Sequence, residues 1–329
     1  MIAAEMPNPL DAEPLPLEDA DVAALKVAAK QGDAEAMSKL GKAYQAGKGV
    51  AQNYAEAVRW WRKAADKGNA KAALFLGGAF VMGQGVRQDQ AEAFRWFQKA
   101  AAQGNAAAQN NLGASFEYGL GVPQDLALSV HWYRKAADQG DSSAQLSIGS
   151  AYYDGKGVPQ DRTEAVRWFR RSAEQGYMYA QISLGYAYAD GIGVPKDRAE
   201  AVRWWRKAAD QGNAEAQNSL GVAYASGEGV PQDFSEAVLW YRRAADQGDP
   251  AAQLNLGVSY GNGTGVPQDF AEAYFWENLA AALKKGDRAK IYAGLRDKTA
   301  ARLSPAELSA TQSRCRQWTD AFEKRKVQK

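Results

Sequence analysis

The stretch Gly212–Gln247, GNAEAQNSLGVAYASGEGVPQDFSEAVLWYRRAADQ, decides the fold, because close variants of it begin at Gly32, Gly68, Gly104, Gly140, Gly176 and Gly248. The interval is 36 residues each time, without insertion, and the seven in-register copies occupy residues 32–283. Self-similarity at a fixed period of this length marks a stacked architecture, in which each copy is one supersecondary unit unable to bury its apolar face alone. A length of 329 residues therefore does not convert into a domain count, since a solenoid grows by stacking and needs no single central core.

Each copy reads as two helices. The first starts at an Asp or Asn directly after Gly (Asp33, Asn69, Asn105, Asp141, Asn213, Asp249), where the side-chain oxygen accepts from orphan amides of the first turn. Pro250 follows one of these at the favoured first helical position, and Tyr177 breaks the pattern in the fifth copy. Ala216, Leu220, Gly221, Ala223 and Tyr224 then recur at helical spacing on one side. The column Gly41, Gly77, Gly113, Gly149, Gly185, Gly221, Gly257 lies inside this helix, where Gly costs about 1 kcal/mol relative to Ala. Its recurrence predicts a close helix–helix approach that a side chain would block. A Gly227-x-Gly229-Val230 turn follows, and Pro231 stops the first helix.

The second helix opens with Asp233-x-x-Glu236, the pattern of a capping box, matched by Asp89/Glu92, Asp161/Glu164, Asp197/Glu200, Asp269/Glu272 and the variant Asn53/Glu56. The third copy keeps Asp125 but has Leu128 in place of the Glu. Trp60, Trp96, Trp132, Trp168, Trp204, Trp240 and Trp276 form one column of this helix, and Tyr44, Phe80, Phe116, Tyr152, Tyr188, Tyr224 and Tyr260 form one in the first. Rings of this size bury ~150–250 Å² each and dominate a stacked core. The paired small residues Ala244 and Ala245 allow close packing, and Gly248 follows the helix as its stop signal.

The ends differ from the copies. Residues 1–17, with Pro7, Pro9, Pro14 and Pro16 among several acids, read as an extended arm. Residues 18–31 match the second half of a repeat and are expected to cap the first copy as a single helix. Residues 284–329 are expected to be C-terminal capping helices. Ser304-Pro305-x-Glu307 opens the last of these, and Leu308, Thr311, Cys315, Trp318 and Phe322 form its apolar stripe.

The Leu-Gly-x-x-Tyr of the first helix, the Gly-x-Gly-Val-x-x-Asp of the turn and the Ala-x-x-Trp-Tyr-x-x-Ala-Ala of the second resemble the Sel1-like repeat family, a relative of the tetratricopeptide repeat. The resemblance implies a right-handed α-solenoid, a superhelix of seven helix-turn-helix repeats with caps at both ends. It also implies an adaptor, regulator or inhibitor, most often bacterial. Departures are few: Glu277 replaces the second aromatic of the last copy, and the turn proline is Ala51 and Arg87 in the first two. Some family members carry a cysteine pair per repeat, whereas this chain has the single Cys315, so a function tied to that subgroup is not carried over.

Little in the composition suggests chemistry. The formal net charge is +2, too small for a field that gathers nucleic acid or acidic membranes. No apolar run approaches the ~18–20 residues that span a bilayer. The N-terminus has no basic region followed by a long apolar stretch, so the expected compartment is the cytoplasm, with the periplasm after signal removal as the alternative. One His and one Cys do not make a zinc site, and no Ser-x-x-Lys is present. The repeated Gly-x-Gly lacks the third glycine and preceding strand of a phosphate loop. His131 sits in the slot of Arg59, Arg95, Arg167 and Arg203 and reads as a solvated basic residue. The expectation is therefore no enzyme, no cofactor and no metal.

A binding site should lie where the copies disagree. On the first helix the variable positions are those of Glu215, Asn218, Val222, Ala225 and Ser226, which steps of three or four place on one face. In the tetratricopeptide-like arrangement this face lines a concave groove. The candidate partner-binding residues are Lys71, Met82, Asn110, Glu117, Tyr118, Tyr153, Asp154, Tyr179, Tyr186, Asp190, Asn218 and Asn262, a lining of Tyr, Met and Asn with a few acids. Leu74, Leu146 and Leu254 share a column with two of them and also fit packing between repeats. Basic residues on the second helices, such as Arg62, Arg134, Arg206 and Arg242, read as a solvated face with local ion pairs to acids such as Asp66, Asp138, Asp210 and Asp246 rather than a nucleic-acid surface. The expected ligand is a protein or peptide held in the groove and regulated or neutralised there, by a monomer that neither binds nucleic acid nor inserts into membrane. The alternative is a cell-wall or polysaccharide-associated protein that binds glycan or acts on it.

Overall fold

The computed structural model describes residues 19–283 and 287–327; the arm expected over residues 1–17 lies outside them. The described residues form seventeen helices. In order they are α1 (Asp19–Lys30), α2 (Ala34–Ala46), α3 (Tyr54–Asp66), α4 (Ala70–Met82), α5 (Gln90–Ala101), α6 (Ala106–Tyr118), α7 (Leu126–Asp138), α8 (Ser142–Asp154) and α9 (Arg162–Glu174). There follow α10 (Met178–Asp190), α11 (Arg198–Asp210), α12 (Ala214–Ser226), α13 (Phe234–Asp246), α14 (Pro250–Asn262), α15 (Phe270–Leu283), α16 (Asp287–Ala300) and α17 (Pro305–Val327). The chain is an all-α solenoid of seven repeats. It divides into two compact units, residues 1–177 and 178–329.

In the first unit α1 lies on α2, and each later helix packs on its successor through α9. In the second the same succession runs from α10 to α15, and α15 carries both α16 and α17. The glycine column explains the tightest of these contacts. A Cβ built on Gly41, Gly77, Gly113 or Gly149 would fall 2.3–2.6 Å from the ring of Trp61, Phe97, Tyr133 or Phe169 on the paired second helix. Real Cβ atoms do not approach that closely, so the aromatic ring lies flush on bare backbone. The expected close approach is what the glycines provide.

The second glycine of each turn has a different task. Gly121, at φ +73°, places its Cα side against the previous second helix, where a Cβ would meet the Gln90 carbonyl oxygen at 2.2 Å. The turns of Gly85, Gly121, Gly157, Gly229 and Gly265 are thus docked on the helix before them, and only a residue without Cβ and tolerant of positive φ can sit there.

The capping arrangement is half of what the sequence suggests. The Asp or Asn cap accepts from the amide three residues on, as Asp233 Oδ1 does from Glu236 at 2.9 Å. The reciprocal bond is absent, because the cap's own N–H donates to a carbonyl of the aromatic column: Asp233 to Tyr224 at 3.0 Å, Asp89 to Phe80 at 3.0 Å. Four of the released glutamates pair with arginines one turn on, as Glu92 does with Arg95 at 2.6 Å and Glu164 with Arg167 at 3.0 Å. Glu236 instead accepts from the Trp240 indole at 2.9 Å, and Glu272 pairs with Arg314 of α17. Where Leu128 replaces the glutamate, His131 replaces the arginine. The full box is made at Ser304 and Glu307: the Ser304 N–H donates to the Glu307 carboxylate at 2.8 Å, and the Glu307 N–H to the Ser304 hydroxyl at 3.3 Å. That helix, α17, buries Cys315 and Thr311 and sets Trp318 edge-on to Trp276 at 6.5 Å.

A glutamine ladder links the two helices of a repeat to each other and that repeat to the one before it. The Gln139 amide donates to the Gln109 carbonyl and Gln175 to Gln145, both at 2.7 Å; Gln247 reaches Gln217 at 2.8 Å. The acceptors are nearly sealed from solvent and also donate to the end of the preceding second helix, as Gln145 does to the Ala137 carbonyl at 3.2 Å. Both polar ends of Gln109, Gln145 and Gln217 are therefore satisfied, whereas the carbonyl of the equivalent Gln253 has no partner among the described residues.

Candidate functional site

The first helices of the first unit present a face built from two adjacent columns at their C-terminal ends. Met82 on α4 and Tyr118 on α6 share one column and are 50% and 53% exposed, while the other Phe, Tyr and Trp rings of the repeats, Phe234 excepted, are buried or half-buried. Asp154 continues that column on α8, half-buried and paired with Lys156 at 2.9 Å. In the adjacent column Glu117 accepts from the Tyr133 hydroxyl at 2.7 Å, so a core ring reaches the candidate face through its polar tip. Burial, and then the Glu117 carboxylate, raises the Tyr133 phenol well above its ordinary pKa and raises Tyr118 as well. Both phenols are neutral donors at physiological pH. Tyr153, in register with Glu117, leans on Phe169 at 6.4 Å and lies under the Arg162 guanidinium at 5.6 Å. Lys71 is exposed at the opposite end of α4.

Asn110 is placed differently from its neighbours. It is 5% exposed, with its amide 3.4 Å from the Ser143 hydroxyl of α8. Leu74 and Leu146 in the same column are 3% and 5% exposed. This column is the seam between consecutive first helices, and Asn110 is presented to α8 rather than to solvent.

In the second unit the candidate residues separate in the same way. Tyr186 on α10 is half-buried, edge-on to Trp205 at 5.4 Å, with its hydroxyl 3.0 Å from that of Ser219 on α12. Burial pushes its phenol up to about 12. Asn218 of α12 accepts from Asn255 of α14 at 3.0 Å. Both residues join neighbouring first helices. Tyr179 is half-buried near the start of α10, while Asp190 and Asn262 are exposed at the ends of α10 and α14. Val222 and Val258, successive members of one column, are 45% and 36% exposed.

The second-helix face is organised otherwise than expected. Arg134 donates to the Tyr152 hydroxyl at 2.6 Å and lies over the Trp168 ring at 5.5 Å; Arg206 does the same with Tyr224, at 2.5 Å, and Trp240, at 5.0 Å. Arg242 repeats the arrangement with Tyr260 and Trp276. The next basic column stacks on its own helix: Lys135 over Trp132 at 4.5 Å and Lys207 over Trp204 at 4.0 Å. These cations are held mainly by tryptophan faces and tyrosine hydroxyls rather than by the acids three or four residues on. No group of acids, histidines and cysteines able to hold a metal occurs among the described residues, and no helix there is long and apolar enough to cross a membrane.

Comparison with known proteins agrees with this architecture. The Sel1 repeat model matches residues 34–69, 70–105, 106–141, 142–177, 179–213, 214–249 and 250–285. Among solved structures, a Sel1 repeat protein from Oxalobacter formigenes is similar at 34% identity over 84% of this chain and 80% of that one, with a TM-score of 0.67. A protective antigen of uropathogenic Escherichia coli strains, displaying an SLR fold, is 31% identical over 96% of this chain and 82% of its own, with a TM-score of 0.45. No curated protein matched. With seven consecutive repeats matching the family model over most of its length, the chain belongs to the Sel1 repeat family.

Proposed function

We propose that the chain is a non-catalytic scaffold that holds a segment of a protein partner on the exposed face of its first helices. Sel1 repeat proteins are generally protein-interaction scaffolds. The observation that supports this face is the exposure of Met82 and Tyr118 in one column, in a chain whose other Phe, Tyr and Trp rings, Phe234 excepted, are buried or half-buried among the described residues. Large side chains left half in solvent beside Glu117 and Asp154 make an amphipathic lining, with an apolar anchor and polar groups to orient a backbone. Met adapts its shape to a partner, and Tyr offers a rigid ring with a hydroxyl donor.

The test is paired capture. Wild-type chain and Met82→Ser/Tyr118→Ser are used as baits in the native lysate, and the proteins retained by wild type are then made pure. Direct titration of such a protein should show binding weakened at least about tenfold in the double variant, with unchanged melting. Equal affinity of both baits for every retained protein removes this face as the site.

A further inference from the structure

We propose that a cavity in the first unit, formed between α3 and the turn entering α5, binds a carboxylate carried next to an apolar group. The natural ligand would be an acidic side chain or chain terminus of a partner peptide, a ligand class that rests on the scaffold reading above. The cavity has a volume of about 560 Å³ and is lined by Arg62, Phe80, Val86, Arg87, Gln88 and Asp89.

Internal comparison of the repeats singles out this place. Arg134, Arg206 and Arg242 each donate to the hydroxyl of a tyrosine in the following repeat. Where that tyrosine is Phe116, the arginine is gone as well, replaced by Gln98. Arg62 breaks the rule, since it is retained opposite Phe80, which has no hydroxyl. Arg87 is a second, independent departure, standing where later copies have Pro123, Pro159, Pro195, Pro231 and Pro267. Both departures line one cavity, and among the described residues neither guanidinium makes a hydrogen bond, ion pair or ring contact. Both guanidiniums are exposed at the rim of the cavity, where an anion entering it can be bound by two like charges at once.

The chemistry of the walls narrows the ligand. A guanidinium presents its donors as a planar fork that matches a carboxylate with two parallel bonds. Asp89 uses its Oδ1 to cap α5, accepting from Ala91 and Glu92 at 3.0 Å each. Its charge leaves a net +1 from Arg62, Arg87 and Asp89, which matches a monoanion better than a phosphate dianion. The cavity is far larger than a carboxylate, and the remaining wall of Phe80 and Val86 accommodates an apolar neighbour of the acid.

The experiment titrates the full chain, labelled with ¹⁵N-arginine, with 3-phenylpropionate, its neutral amide and phenyl phosphate, following the Arg62 and Arg87 Nε–H resonances. Saturable shifts with the carboxylate, none with the amide and weaker ones with the phosphate are expected. Arg62→Gln and Arg87→Pro install residues that other copies carry at the same positions, so the fold is kept. Each should weaken carboxylate binding about tenfold, as loss of a charged hydrogen-bonding pair does. Phe80→Tyr, which returns a hydroxyl partner to Arg62, should weaken it too. Equal response to the amide, tighter binding of the phosphate, or unchanged affinity in both arginine variants overturns the assignment. Because the probes are small molecules, these outcomes are independent of whether Met82 and Tyr118 hold a partner.

Discussion

The Tyr133 ring lies so close to Gly113 that a Cβ there would be 2.4 Å from its Cδ1. The two residues belong to the paired helices of one repeat, and this contact sets how near those helices come. Gly113→Ala should therefore destabilise the chain by overpacking, by about 1–3 kcal/mol, despite Ala being the better helix former. Urea unfolding of the variant against wild type measures this. A stabilised variant would show that the ring can withdraw.

The bond from Arg134 to the Tyr152 hydroxyl joins consecutive repeats on a half-buried surface. Tyr152→Phe should cost about 0.5–1.5 kcal/mol, the net worth of one such bond. The guanidinium would still rest on Trp168, so Arg134→Ala should cost more. Denaturation of both variants ranks them; equal losses would assign the whole effect to the hydroxyl.

Glu277 is 3% exposed, with one carboxylate oxygen lacking a partner, and burial raises its pKa although a hydrogen bond from Thr299 opposes the shift. An acid whose folded pKa is raised binds its proton more tightly in the folded state. Stability should thus fall as pH climbs from the unfolded value of about 4.3 through the folded one. Glu277→Gln removes the charge, so it should stabilise the chain at pH 7, by on the order of 1 kcal/mol, and make no such difference at pH 4. Thermal melts at the two pH values decide it; an advantage for Gln that is no larger at pH 7 means the carboxylate is not penalised by its burial.

The exchange of Glu–Arg for Leu128 and His131 in α7 suggests a double-mutant cycle. Leu128→Glu with His131→Arg should gain about 0.3–0.5 kcal/mol beyond the sum of the single changes, the usual size of such a helical pair. Unfolding in low and high salt should show the coupling fading as salt rises. Additive single effects would leave the exchange unexplained by pairing.

Much of this was legible in the chain itself, and the parts that were not share a cause. A 36-residue period exposes every position to comparison with its equivalents, so the glycine and tryptophan columns, the turns and the Asp caps could be read directly. What failed was the assignment of partners. The glutamates three residues beyond the caps looked reciprocal, but the cap N–H is taken by a carbonyl of the preceding first helix, a contact across the turn. The arginines looked paired with nearby acids, yet Arg134 and Arg206 reach tyrosines eighteen residues on. On the candidate face, variability alone could not separate Asn110, which is sealed between two helices, from Tyr118, which is exposed.

The sequence by itself determined that the chain is a stack of helix pairs and which residues build it, because helical periodicity, capping and glycine spacing are local properties repeated seven times. Only the tertiary structure decided which variable side chains meet solvent and which meet the next repeat. Neighbouring columns on one helical face differ by about 100° in direction or less, and the packing of the adjacent helix determines which of them it covers.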